Sequence, residues 1–220
     1  MIDRAALRVE PIVAASPIWI QLRDTFSGRP PAGPVSVTLE RRAGSTWVAL
    51  AHPHQLSPTG NLAFVDLGRT RVPAAVAPFD VRVTVASPGT IAEAWNGDAA
   101  LTTTITPWTS DGPSVPSLPD SLRLFPGPAY AFPTGTPLLA GRVLDAGGDP
   151  VARARVWATE TVQAQQLTEE VRSDPDGRFR LPLRWSAGAT DVRAARGAIS
   201  GAVTITVPAD LSTTQQIVLT

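Results

Sequence analysis

Over several short runs of this chain, every second residue is apolar. In P-V-S-V-T-L-E the residues Val35, Val37 and Leu39 share one face; Phe79, Val81, Val83 and Val85 do so in F-D-V-R-V-T-V, and Phe179, Leu181 and Leu183 in G-R-F-R-L-P-L. A period of two is the signature of a half-buried β-strand. The 22 prolines and 17 glycines fall mostly between such runs, where an antiparallel sandwich turns its chain. With 220 residues, 43% of them apolar, the chain can bury one large core or two of about 100 residues each.

Two segments carry other local signals. Asn96-Gly97, between I-A-E-A-W and L-T-T-T-I-T, predicts a hairpin with a type I′ turn. Glu160 to Glu170, E-T-V-Q-A-Q-Q-L-T-E-E, lacks an apolar stripe and is expected to hold a turn or two of helix, or a long mobile loop. Pro107 to Ser121 reads P-W-T-S-D-G-P-S-V-P-S-L-P-D-S, a proline-rich stretch expected to form a semi-rigid linker. The expected organisation is therefore an N-terminal sandwich over 1–107, a linker over 108–121 and a C-terminal sandwich over 122–220.

The two sides of the linker repeat each other. L-R-V-E-P at Leu7 answers L-R-L-F-P at Leu122, and S-P-I-W-I-Q-L-R-D, ending at Asp24, answers T-P-L-L-A-G-R-V-L-D, ending at Asp145. Both then enter a glycine and proline turn. S-P-T-G-N-L-A-F-V-D-L (Ser57 to Leu67) matches D-P-D-G-R-F-R-L-P-L, F-D-V-R-V matches T-D-V-R-A, and T-I-T-P matches T-I-T-V-P. Landmarks recurring in one order favour tandem copies of one sandwich.

L-A-G-R-V-L-D-A-G-G-D-P-V-A-R-A-R-V-W-A followed by V-R-S-D-P-D-G-R-F-R-L-P-L resembles the carboxypeptidase regulatory-like domain, a transthyretin-like sandwich, over about Thr136 to Thr220. The first half is similar to a diverged relative. The resemblance implies an all-β chain of two tandem immunoglobulin/transthyretin-like antiparallel sandwiches, and an accessory module without an active site of its own. Such modules occur in peptidase appendages, in surface and adhesive proteins, and in gene clusters for phage-tail-like contractile injection particles. The lead-in L-F-P-G-P-A-Y-A-F-P-T-G-T-P-L-L-A-G-R-V is most similar to members from the last setting.

Charge excludes some partners. Nineteen basic residues, all arginine, balance nineteen acidic ones, so no net field gathers nucleic acid or anionic lipid. Without cysteine there are no disulfides, thiolate metal sites or cysteine nucleophiles. No apolar run approaches a membrane span, and Asp3, Glu10, Pro11 and Pro17 make the first residues a poor signal peptide. The expectation is a soluble protein synthesised in the cytoplasm and incorporated into a particle, with secretion left open.

S-D-P-D-G-R-F-R-L, Ser173 to Leu181, tests for chemistry. A helix-loop-helix calcium loop needs oxygen ligands at positions 1, 3 and 5, glycine at 6 and glutamate at 12. Counted from Asp174, Asp176 fits position 3, but Arg178, Phe179 and Trp185 occupy positions 5, 6 and 12, so the stretch reads as a turn entering a buried strand. His52 and His54 supply two imidazoles without further ligands and read as exposed loop residues. No G-x-S-x-G elbow accompanies them, and Gly147-Gly148 has no lysine or helix after it to cradle phosphate. Glu169-Glu170 would point to opposite faces of a strand, which does not suit a pair of catalytic carboxylates.

Of the six tryptophans, Trp19 and Trp47 have strand-like apolar neighbours that suit core or rim packing, and Trp157 and Trp185 fall in the second half. Trp95, beside a turn, and Trp108, in the linker, are the candidate contact residues, either to a partner or between the domains. No catalytic, cofactor-binding or metal-binding residue is nominated and no cofactor is expected. The expected function is a non-enzymatic structural or adaptor role among other protein subunits; the alternative is an extracellular module binding glycan or a cell surface.

Overall fold

The structure is a computed structural model that describes residues 15–72, 75–109 and 118–220. The sequence match between the halves proves to be a match of topology. In the first half one sheet holds β2 (Ser36–Ala43), β3 (Thr46–Ala49), β6 (Phe79–Ala86) and β8 (Leu101–Ile105) in the order β3-β2-β6-β8. Facing it, β1 (Ile18–Asp24), β4 (Gln55–Leu56), β5 (Asn61–Ala63), β7 (Thr90–Ala94) and β9 (Leu118–Pro126) lie in the order β4-β5-β1-β9-β7. The second half contains β10 (Leu138–Asp145), β11 (Arg155–Val162), β12 (Gln165–Arg172), β13 (Arg178–Pro182), β14 (Gly188–Arg196), β15 (Ile199–Val207) and β16 (Gln215–Leu219). Its sheets run β12-β11-β14-β15 and β13-β10-β16. Placed side by side, β3-β2-β6-β8 corresponds to β12-β11-β14-β15, and β5-β1-β9 to β13-β10-β16. The fold is all-β, two tandem sandwiches as the alternation requires.

The pairing is antiparallel except that each sandwich joins its first strand to its last in parallel, Leu22 beside Leu122 in β1 and β9, and Val143 beside Ile217 in β10 and β16. This corrects the domain boundaries. Leu118–Pro126, expected as the end of a linker and the start of the second sandwich, is a central strand of the first. Leu122 and Leu124 are fully buried there, and hydrogen bonding to both β1 and β7 holds the strand in place. The first sandwich thus extends to Pro126 and the second is built from Leu138 onward. Residues 110–117 of the expected linker, and Leu7 to Pro11 of the repeat, lie outside the described residues.

Each sandwich has its own core. Ile18, Ile20 and Leu22 of β1 face inward with Phe64, Val81, Val83 and Ile105, whereas Trp19, Gln21 and Arg23 alternate outward. Leu139, Val143, Phe179, Leu181, Val192 and Ile205 fill the second core.

The repeat extends to individual hydrogen bonds. Gly60 and Gly177 hold the left-handed backbone region, at φ 83° and 73°, and accept from the amides of Leu22 and Val143, each at 2.8 Å. Pro30 covers Gly60 and Pro150 covers Gly177. In the turn before Gly177 the Asp174 carboxylate accepts from the amides of Asp176 (3.0 Å) and Arg178 (2.8 Å), and the Ser57 hydroxyl does the equivalent for Asn61 (3.0 Å). S-D-P-D-G-R-F-R-L is accordingly a turn in which Asp174 caps backbone amides, and Phe179 is buried on the strand that follows.

Two local expectations are corrected. Glu160 to Glu170 is neither helix nor loop but the body of a β11–β12 hairpin, in which Gln163 (φ 49°) and Ala164 (φ 66°) make the two-residue turn. Both central residues at positive φ define type I′, adopted here without the usual asparagine or glycine because eight cross-strand pairs fix the register. Asn96-Gly97 does turn the chain, and Gly97 takes positive φ (87°), but Asn96 does not, so the turn is not type I′. The flanking strands do not pair as a hairpin: β7 hydrogen-bonds β9, and β8 crosses to the other sheet to pair with β6.

Candidate functional site

The polar groups with the most unusual environment lie where the sandwiches meet. On β7 Ala92 and Ala94 are buried and so is Glu93 between them, because one face of this strand meets the core and the other meets the second sandwich. From β12, Arg172 reaches it with two charge-assisted hydrogen bonds, Nε to Oε2 at 2.6 Å and Nη2 to Oε1 at 2.8 Å. Only 4% of the Arg172 side chain and 7% of the Glu93 side chain remain accessible. Arg123 of β9 also donates to Glu93 (3.2 Å), and Glu170 accepts from Arg172 Nη1 (2.7 Å). The Arg172 guanidinium lies 3.7 Å from the centroid of the Phe125 ring. Burial alone would lower its pKa; the hydrogen bonds it donates to Glu93 and Glu170 outweigh burial and raise it, so the group is a fixed cation.

Two further ties flank this pair. Arg153 donates to the Ala92 carbonyl at 2.7 Å. The segment joining β9 to β10 folds back: Tyr130 donates to Asp24 (2.5 Å), and the rings of Phe26, Tyr130 and Phe132 pack edge to face or tilted. Arg184 of the second sandwich lies over Phe26 at 4.2 Å, and Arg180 over Phe132 at 5.7 Å. Burial and the hydrogen bond to Asp24 raise the Tyr130 pKa, keeping it a donor. The connection is thus packed onto both sandwiches.

The nominated contact residues separate. Trp95 is 72% exposed beside its turn. Trp108 is only 7% exposed, its Nε1 donating to the Leu67 carbonyl at 2.9 Å, so it is part of the first sandwich and not an exposed contact. Trp19 is likewise reassigned: strand alternation turns it to solvent at 45% exposure, away from the core. Trp47 is half-buried on β3 beneath the Arg82 guanidinium, 4.9 Å away. His54 is exposed as expected, but His52 is half-buried and bonds the Val65 carbonyl through Nε2 at 2.8 Å. Glu169 pairs with Arg184 and Glu170 with Arg155 on opposite faces of β12, as their adjacency requires. Among the described residues no group of three or more histidine, cysteine or acidic side chains is arranged to hold a metal.

Sequence reasoning missed Glu93 and Arg172. They are far apart in the chain, and the only local signal is a glutamate between alanines expected to be buried. By strand alternation Arg172 faces outward beside inward Val171, a position that is normally exposed.

Comparison with known proteins is consistent with the second sandwich. Residues 139–220 match the family model of the carboxypeptidase regulatory-like domain. No curated protein matches the chain. Among solved structures it is similar to a streptococcal ancillary pilin (11% identity, 96% of this chain and 64% of that one, TM-score 0.35). It is also similar to a DUF3823 family protein from Bacteroides uniformis (8% identity, 87% of this chain and 98% of that one, TM-score 0.30). The shaft pilin spaA from Lactobacillus rhamnosus GG is a third (11% identity, 94% and 97% covered, TM-score 0.26). The chain therefore spans just under two thirds of the streptococcal protein.

Proposed function

We propose that this protein is a non-enzymatic structural module, a rigid two-sandwich spacer or adaptor that holds a place in a larger protein assembly. The observation that carries this reading is the junction. Two copies of one fold meet at the buried Glu93–Arg172 pair, and the burial of both partners supports a fixed mutual orientation. The match to an accessory domain supports a non-catalytic role for the second sandwich. With no lysine in the chain, no ε-amine is present for amide cross-links between subunits, so the assembly contacts proposed are non-covalent or use other groups. The setting we propose is a phage-tail-like or contractile injection particle, supported by the resemblance of the lead-in from Leu124 to Val143. Trp95 is the proposed contact residue. The partners are other protein subunits, without nucleic acid or membrane insertion; no helix among the described residues is long and apolar enough to cross a membrane.

The test is native purification of the tagged protein at its natural level, followed by sizing and cross-linking mass spectrometry. Recovery in a particle of defined composition, with cross-links that Trp95→Ala weakens, is the expected outcome. Recovery as a free monomer, or turnover of a substrate by the purified chain, would overturn the reading.

A further inference from the structure

The outer face of the β12-β11-β14-β15 sheet carries a feature that the structural role does not use. Outward positions on β14 are Ala189, Asp191, Arg193 and Ala195, and on β15 they include Ser200, Ala202 and Thr204. Mostly small, they leave an open depression of about 590 Å³ beside the larger Trp157 of β11. A second depression of about 470 Å³ shares Asp191 and Thr204 with the first and ends at Trp185, which is 46% exposed. Together they form a trough running along β14. From Ala189 to Ala195 that strand covers roughly 20 Å at about 3.3 Å per residue.

We infer that this trough is a binding site for a neutral oligosaccharide. Its chemistry selects the class. Arg155 lies over the Trp157 ring at 4.4 Å and pairs with Glu170 at 2.8 Å, a carboxylate it shares with Arg172, so the positive charge beside the indole is partly offset. Asp191 and Arg193, two residues apart on the same face, carry opposite charges without forming an ion pair with each other. Thr204 donates to Asp191 Oδ1 at 2.7 Å, which fixes the carboxylate and leaves Oδ2 to accept. Arg193 makes no side-chain hydrogen bond or ion pair among the described residues, so its donors are available. A fixed acceptor and a free donor on one strand, beside an indole, match a ligand with adjacent hydroxyls and an apolar ring face. Arg193 stands against Asp191 and, in the second depression, Glu160, so the lining has no excess of positive charge, which disfavours anionic glycans and nucleic acid.

The inference is separable from the assembly role, because Trp157, Asp191 and Arg193 lie on β11 and β14 and make no contact with Glu93, although Glu170 pairs with both Arg155 and Arg172. Its test is isothermal titration of the full chain with neutral glucan, mannan and chitin oligomers, and with sulfated oligomers as the anionic comparison. At least one neutral oligomer binds, Trp157→Ala and Arg193→Gln each weaken it by about tenfold or more, and Trp47→Ala on the first sandwich leaves it unchanged. Circular dichroism and an unaltered unfolding midpoint show that the variants are folded. Failure of every neutral oligomer, preference for the sulfated ones, or undiminished binding by Trp157→Ala would overturn the site. So would concentration-dependent self-association that Trp157→Ala abolishes, which assigns this face to a second copy of the chain.

Discussion

Replacing Glu93 by glutamine removes one charge from the interdomain junction while nearly preserving its volume. In the native protein Glu93 accepts two hydrogen bonds from Arg172 and a third, longer one from Arg123. Breaking a buried ion pair at one partner costs about 3 to 5 kcal/mol, chiefly because the remaining charge stays buried. Here Arg172 keeps Glu170 at 2.7 Å and the Phe125 ring at 3.7 Å, so the low end of that range, about 3 kcal/mol, is expected. The assay is urea unfolding of the wild type, Glu93→Gln, Arg172→Met and the double variant, followed by tryptophan fluorescence and circular dichroism. Wild type unfolds in one transition by both probes; each single variant loses stability and its two sandwiches unfold separately. The double variant loses less than the sum, with a coupling above about 1 kcal/mol, because it leaves no unpaired buried charge. Single losses below about 1 kcal/mol that simply add would refute the reasoning, since an ion pair exposed to solvent behaves that way.

Gly60→Ala and Gly177→Ala should each destabilise their own sandwich. A Cβ at Gly60 would lie 2.7 Å from the Leu22 carbonyl oxygen, one at Gly177 would meet the Val143 carbonyl, and both residues have positive φ; similar drops in midpoint for the two variants are the expected result. Ala164→Gly should raise stability by about 1 kcal/mol, because Ala164 occupies left-handed backbone (φ 66°) that costs a side-chain-bearing residue about that much; a loss would mean the β11–β12 turn is built differently. Glu160 has a raised pKa, first from burial and then from the Glu169 charge. A raised folded-state value favours the protonated form, so its contribution is present below the ordinary 4.5 and is lost as pH rises through the folded value. Glu160→Gln should therefore raise the thermal midpoint at neutral pH and change it little below 4.5, as scanning calorimetry at both values would show.

The alternation in V-S-V-T-L and F-D-V-R-V-T-V was enough to read the strands, and the repeated proline and glycine turns revealed the duplication before any strand was paired. The turn at Asp174 was legible because its ligand spacing fails and its counterpart at Ser57 carries no carboxylate. Leu118–Pro126 was misplaced for a physical reason. Prolines at both ends disguise a strand whose partners are β1, far back in the chain, and β7; its resemblance to Leu7–Pro11 then drew it into the wrong half. The hairpin at Gln163-Ala164 was hidden because cross-strand pairing, not turn-forming residues, imposes its backbone. For the junction and the trough the limit is different: Glu93 with Arg172, and Trp157 with Asp191, meet only through tertiary contacts that no local pattern records.

Nitrogen-15 relaxation of the full chain tests most directly whether the protein is one rigid two-sandwich module. If the Glu93–Arg172 junction and the Phe26–Tyr130–Phe132 cluster lock the halves together, amides of both sandwiches report one rotational diffusion tensor, and Glu93→Gln separates them. Two independent correlation times in the wild-type chain, each suited to a single sandwich, would contradict the account.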